Sequence, residues 1–303
     1  MTFYQSDPIM FTYLRNLIYR FTKEGRPNLH KNISITWIRY PNNNPKPNSG
    51  IGASWAQNQI FYPASVVKLI YGIATEVWLQ KDLILESEEL RRAVSDMIIY
   101  SSNDATSYVV DVLTGSNSGP CLRGKQLKSW RLQRQLINQW LKSLCWPELK
   151  HSNCCQKTWG DGPYGRDKDF YGKNNENRNA LCTAAAARFL ETLMTENFLA
   201  PKRSKVLQSY FVRSLDLIDR KKDPDNQIDG FLGEGLPAET QFWSKAGWMS
   251  EVRHDAAWWH QPGQPSMLLV VFSKGKELSN DKFLLPALAN ELNQLHSSLN
   301  INS

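Results

Sequence analysis

The sequence predicts an α/β (α+β) fold: a five-stranded antiparallel sheet flanked by terminal helices, with an all-helical lobe inserted between its second and third strands. Three observations carry this expectation. Two β-branched or alternating stretches lie near the start and three more near the end. The region between them reads mainly as helix. One amphipathic helix precedes the first strand and another follows the last. Strands so far apart in sequence form one sheet only by pairing across the inserted helices, which places a cleft where the two parts meet.

The elements follow in order. The segment "MTFYQSDPIMFTYLRNLIYRFTKEG" holds an amphipathic helix over about 9–22, with Arg15 and Arg20 interrupting its apolar positions. "ISITWIRY" (33–40) is a strand, "PNNNPKPNSG" (41–50) a loop, and "IGASWAQNQIFY" (51–62) the return strand. Helices are expected at 65–80, 87–99, 104–114, 124–144 and 180–197. Between the last two lies 145–179, rich in Gly, Asn, Asp and Lys; loops of that length are usually lids or poorly ordered segments. Three strands follow at 240–249, 253–260 and 265–274, and a helix closes the chain over 281–299. One domain is expected over 1–303, with an α/β lobe from 1–62 and 200–303 and a helical lobe from 63–199.

Bulk properties narrow the function. The 303 residues include 11 Trp, 11 Tyr and 12 Phe, enough for a large buried core. The net charge of +7 comes from scattered Lys and Arg without interleaved aromatic residues, which reads as a solvated basic face; no nucleic acid partner is expected. The five cysteines (Cys121, Cys145, Cys154, Cys155 and Cys182) form no C-x-x-C, and reduced thiols are expected. No His lies at ligand spacing from a Cys pair, so neither a metal nor a cofactor is expected. No 18-residue apolar run suggests a membrane span. The start lacks the marks of an export signal, which points to the cytoplasm.

Three short segments could carry chemistry. In "FYPASVVK", Pro63 favours a helix start, and Ser65 and Lys68 fall three residues apart on one helix face. The residues that follow are nearly all apolar, so Lys68 would be buried. Burial lowers a lysine's pKa and makes it a base able to activate a hydroxyl. The alternative is a capping serine and a lysine reaching past the helix to water. A second pair, Ser273 and Lys276 in "VFSKGK", has the same spacing but follows a strand into a turn, where neither side chain would be buried. In "MIIYSSNDATSYVV", Ser101, Ser102 and Asn103 separate two helices. They either cap the second helix or turn Ser101 and Asn103 toward the cleft. In "WSKAGWMSEVRHDAAWW", Lys245 interrupts an apolar strand, and Gly247 would let another chain approach closely. An edge-strand lysine that deters sheet pairing is the alternative.

Taken in order, S-x-x-K (Ser65, Lys68), S-x-N (Ser101, Asn103) and K-x-G (Lys245, Gly247) resemble the penicillin-recognising serine hydrolases, the class A β-lactamases and related D,D-peptidases. The resemblance spans about 40–300. The interval of 36 residues from Ser65 to Ser101 suits that family, and the 144 from Ser101 to Lys245 are somewhat long. The resemblance implies a small-molecule or peptide amide substrate, with Ser65 as acylated nucleophile and Lys68 as its base. It implies Ser101 and Lys245 as proton relay and positive field, and Asn103 as a hydrogen-bonding partner of a substrate amide. The oxyanion hole would be the backbone N–H groups of Ser65 and Trp248, a kind of device that supplies about 3–4 kcal/mol in the transition state.

The match departs from the family at two points. Ala246 stands where the family has Ser or Thr, a hydroxyl that helps to hold a substrate carboxylate. Arg253 is either a compensating charge or a surface arginine beside Glu251. No segment reproduces the family's E-x-x-L-N, whose glutamate activates the deacylating water. Glu148, Asp161, Asp167 and Asp169 are the look-alikes in the long loop, and His254 with Asp255 adds a titratable pair near the predicted cleft. Turnover of β-lactams, slow release as in a penicillin-binding protein, esterase action and a catalytically silent binding module stay open as readings.

Overall fold

A computed structural model describes residues 3–300, with side chains described through Leu295. The chain begins with a two-residue strand, β1 (Gln5–Ser6), and helix α1 (Pro8–Lys23), whose N-terminus is capped by the Asp7 carboxylate accepting from the N–H groups of Ile9 and Met10. A short helix α2 (Leu29–Asn32) leads into β2 (Ile33–Arg39) and β3 (Ile51–Trp55). A 3₁₀ turn (Ala64–Val66) opens the helical region, which holds α3 (Val67–Gln80), α4 (Glu88–Ile99), α5 (Asn103–Thr114), α6 (Gly124–Arg134), α7 (Leu136–Ser143), α8 (Gly165–Tyr171), α9 (Thr183–Met194), α10 (Pro201–Phe211) and α11 (Leu217–Lys222). The chain then returns through β4 (Gln241–Met249), β5 (Val252–His260) and β6 (Met267–Lys274), and ends in α12 (Lys276–Asn280) and α13 (Leu284–Asn300).

The strands form one sheet in the order β1-β3-β2-β6-β5-β4. The expected antiparallel strands all form, and β2 pairs directly with β6 across the inserted helices. The count is six among the described residues, not five: β1 adds a parallel pair on β3 that two residues are too short to announce in sequence. The alternation of each strand sorts its side chains to two faces. Ile38, Trp258, Leu268, Val270 and Phe272 pack under the inserted helices, while Ile35, Trp37, Trp259, Leu269 and Val271 pack against α1 and α13.

Several boundaries differ from expectation for local reasons. The return strand stops at Trp55, and Phe61 meets only Leu181 in an isolated bridge. The segment 124–144 is two helices, broken at Gln135. The loop at 145–179 is not a loose lid: it contains α8, and Cys154, Cys155, Gln156, Lys157 and Thr158 are buried in its middle. All five cysteines are free thiols. Among the described residues no helix is long and apolar enough to cross a membrane.

Candidate active site

Three elements meet at the cleft. The 3₁₀ turn carries Ser65 and runs into α3, the turn between α4 and α5 carries Ser101, and β4 carries Lys245 at the edge of the sheet. Ser65 is half-buried on the 3₁₀ turn, and Ala64 before it takes a positive φ of 46°. A non-glycine residue in that region is uncommon and costs energy that surrounding packing must offset. Helix α3 is buried nearly all round, and Lys68 lies fully inside it.

β4 approaches the serine closely. A β-carbon on Gly247 would sit 2.9 Å from the Pro63 carbonyl oxygen and 3.0 Å from the Ser65 nitrogen. The absent side chain lets the strand backbone lie against the turn, which brings the Trp248 backbone beside the Ser65 N–H. His254 on β5 ties down the same turn. The Ser273 N–H donates to its Nδ1 at 3.1 Å, so Nε2 carries the proton and donates to the Tyr62 carbonyl oxygen at 2.9 Å. Burial lowers the imidazole pKa to about 4, so it is neutral. Both ring nitrogens are spent on backbone, which makes His254 a positioning residue.

The polar centre is built on Ser101, whose positive φ of 56° turns it away from the helix that Ser102 caps. Lys68 Nζ donates to the Ser101 carbonyl oxygen at 2.5 Å, the Ser101 hydroxyl at 3.1 Å and Asn103 Oδ1 at 2.9 Å. Lys245 Nζ donates to the same Ser101 hydroxyl at 3.1 Å and to the Ala246 carbonyl oxygen at 3.0 Å. Its third acceptor is Gln227 Oε1, and Gln227 donates through Nε2 to the carbonyl oxygens of Ile98 and Ile99. A serine hydroxyl has two acceptor positions and one proton. Both acceptor positions of Ser101 are filled by lysines, which leaves its proton for a third partner in the cleft.

Burial sets the charge state of this centre. Desolvation lowers the Lys68 pKa to about 7. Lys245 is lowered well below the ordinary lysine value, first by burial and then by the neighbouring Lys68 and Arg213. Asp255, fully buried, is raised to about 7 by the same desolvation, and the Leu232 N–H donates to its Oδ2 at 3.1 Å. Arg213 is lowered to about 10 and spends its guanidinium on the carbonyl oxygens of Tyr210, Val212 and Ile98.

A cleft of about 590 Å³ is lined by Ser65, Ser101, Asn103, Gly247, Trp248 and Arg253, with Lys68 and Lys245 buried beneath it. The fold thus brings all eight sequence-selected residues to one place. Ser65 Oγ, however, makes no hydrogen bond among the described residues; Lys68 is turned to Ser101 and Asn103 instead. Arg253 is not a surface residue beside Glu251: it is buried, with Nε donating to the Ser279 carbonyl oxygen at 2.9 Å and Nη1 to that of Gly230 at 3.2 Å. Of the second serine–lysine pair, Ser273 is buried after all, because it lies inside β6 and donates to the Arg253 carbonyl oxygen at 2.8 Å. Lys276 is exposed on α12, so that pair does not meet.

The look-alike carboxylates lie elsewhere. Glu148 is ion-paired with Arg188 at 2.7 Å, and Asp167 with buried Arg134 at 3.1 Å. Asp161 is exposed, and Asp169 interacts with Cys121. None of the four lines the cleft, whose acidic groups are Asp225 and Asp229. Gln227 is the residue that sequence reasoning missed; it belongs to no motif, and only its neighbours in space mark it.

The model of the Beta-lactamase enzyme family, Beta-lactamase2, matches residues 86–295, more than half of the chain. The chain belongs to the beta-lactamase enzyme family. The matched span contains Ser101, Asn103 and Lys245, while Ser65 and Lys68 precede it. A search of curated proteins finds no match. Among solved structures the chain is similar to PBP-A, at 14% identity and a TM-score of 0.65 over 97% of this chain and 98% of that one. It is also similar to a beta-lactamase from Chitinophaga pinensis, at 13% identity and a TM-score of 0.64 over 93% and 99% of the two chains. A beta lactamase from Xanthomonas campestris pv. campestris gives 16% identity and a TM-score of 0.62 over 93% and 96%. At such identities the likeness establishes the fold, that of the class A beta-lactamases and PBP-A.

Proposed function

We propose that this family member is a serine hydrolase that cleaves an amide or ester bond through an acyl-enzyme on Ser65. The observation that carries the reading is the Ser101 hydroxyl held 3.1 Å from each of two buried lysines, in the cleft that Ser65 lines. In its charged form Lys68 uses three protons on three acceptors and has no lone pair to offer. Loss of one proton, at a pKa of about 7, frees a lone pair on Nζ that can accept the Ser65 proton. The gap between Ser65 and Lys68 fits an empty site, where catalytic hydrogen bonds are often unmade.

The proposed steps balance. Ser65 Oγ gives its proton to Lys68 and bonds to the substrate carbonyl carbon, and the developing oxyanion faces the N–H groups of Ser65 and Trp248. The bond to the leaving atom then breaks. That atom takes the Ser101 proton, and Lys68 returns a proton to Ser101. Lys245 supplies positive field throughout. Asn103, whose Oδ1 accepts from Lys68, keeps its NH₂ group for a substrate carbonyl oxygen.

Release of the acyl group is the slow step in this reading. The long-loop carboxylates are held in ion pairs away from Ser65, so none is placed to activate water. One similar structure, a PBP-A variant, is described as an acyl-enzyme complex with penicillin-G, which supports a persistent acyl-serine as a chemistry this fold can host. A burst of product equal to the enzyme concentration, followed by slow turnover of an activated aryl ester, is the expected kinetic result. Identical progress curves for the native protein and Ser65→Ala contradict it. A D,D-peptidase or esterase shares this scheme; a catalytically silent module does not.

A further inference from the structure

Resting on the acyl-serine reading, the geometry also bears on the substrate's leaving side. That side is the wall beyond Ser101, where Ala246, Gln227, Phe231 and Asp225 line the cleft. An anion bound there needs donors that are not already in use. Lys245 has three protons and spends them on Ser101, Gln227 and the Ala246 carbonyl oxygen. Arg253 donates from Nε and Nη1 to two backbone carbonyl oxygens, and its guanidinium lies 4.9 Å from the Phe231 ring centroid and 5.9 Å from that of Trp248. Ala246 has no hydroxyl to offer. The rim adds Asp225 and Asp229 against Lys282, and Asp229 is already paired with Arg220. The exposed surfaces of Tyr100 and Trp248 are aromatic. A carboxylate entering this wall would exchange water for spent donors and a neighbouring carboxylate, a costly transfer.

We infer that the leaving-side pocket takes an uncharged group, so that the preferred substrates are esters or amides with no carboxylate beside the scissile bond. The test uses two acyl esters of the full chain's choosing only in their leaving group, 4-nitrophenol and 3-carboxy-4-nitrophenol. The second-order rate constant for acylation of Ser65 is measured for each, alongside labelling by a small neutral fluorophosphonate. The expected result is at least a tenfold preference for the uncharged leaving group. Ala246→Ser, which restores a hydroxyl, narrows that preference. Equal rates, or faster reaction of the carboxylated ester, overturn the inference. So does failure of both esters on a protein whose Ser65 the fluorophosphonate labels. Failure of the fluorophosphonate itself strikes the acyl-serine reading instead.

Discussion

The ammonium group of Lys68 is bound twice by Ser101: its Nζ lies 2.5 Å from the carbonyl oxygen and 3.1 Å from the hydroxyl oxygen. This contact joins two segments 33 residues apart in the chain and depends on the positive φ that turns Ser101 inward. It also makes Lys68 expensive to keep. A fully buried amine with a pKa pulled to about 7 trades stability for reactivity.

Two outcomes are expected from that trade. The acylation rate rises with pH through about 7 as Lys68 loses its proton, then levels. Lys68→Met slows acylation by roughly 10²- to 10⁴-fold, and it raises the melting temperature because an apolar chain replaces a buried amine. Stopped-flow acylation at several pH values and thermal unfolding of the variant check both.

Gly247 is a second point of control. The room at its α-carbon is set by backbone atoms of Pro63, Ser65 and Val66, none of which can rotate aside. Gly247→Val therefore forces β4 away from the serine turn. Displacement of about 1 Å costs roughly 10²-fold in rate, and Gly247→Ala should fall between. Far-ultraviolet circular dichroism of both variants should stay native while acylation drops in that order.

His254 and Asp255 are adjacent, buried and opposed in their effect on stability. The His254 pKa falls from 6.5 to about 4 on folding, so the unfolded chain binds more protons between those values. Its contribution is lost as pH falls from about 6.5 to about 4. The Asp255 pKa rises from 3.8 to about 7, so the folded chain binds more protons in that window. Its contribution is present below about 3.8 and lost as pH rises through about 7. The two slopes offset each other over the shared range. Asp255→Asn removes one of them, and its melting temperature is expected to fall more steeply than that of the native protein between pH 6.5 and 4.

Glu148 and Asp167 stand apart from catalysis. Each is buried and paired with an arginine, and removing one partner of a buried pair leaves an uncompensated charge worth about 3–5 kcal/mol. Glu148→Gln and Asp167→Asn should lower the melting temperature and leave the acyl-enzyme lifetime unchanged. Mass spectra of an acylated sample taken over time give that lifetime.

Much of this site is legible in the sequence because the chemistry sits on regular elements. Ser65 and Lys68 are fixed by one helix turn, and Lys245 and Gly247 by one strand whose apolar alternation marks it. The alternation also orders β2, β3, β4, β5 and β6. Other features leave no local trace. β1 is two residues long, and α10 is a weakly patterned segment, "PKRSKVLQSYF", that reads as polar. Gln227 acts through Lys245 and two carbonyl groups at the end of α4, contacts 18 and more than 100 residues away in the chain. The hydrogen bonds of Lys68 depend on the backbone angle at Ser101, which no residue type announces. The fate of the look-alike carboxylates was hidden for the same reason: their arginine partners, Arg188 and Arg134, are remote in sequence.

The central claim is that Ser65 becomes acylated. Intact-protein mass spectrometry after exposure to a fluorophosphonate tests it most directly, with native protein and Ser65→Ala measured side by side. The account predicts one adduct on the native chain, mapped to the peptide containing Ser65, and none on the variant. An unmodified native chain, or equal labelling of both proteins, would contradict it.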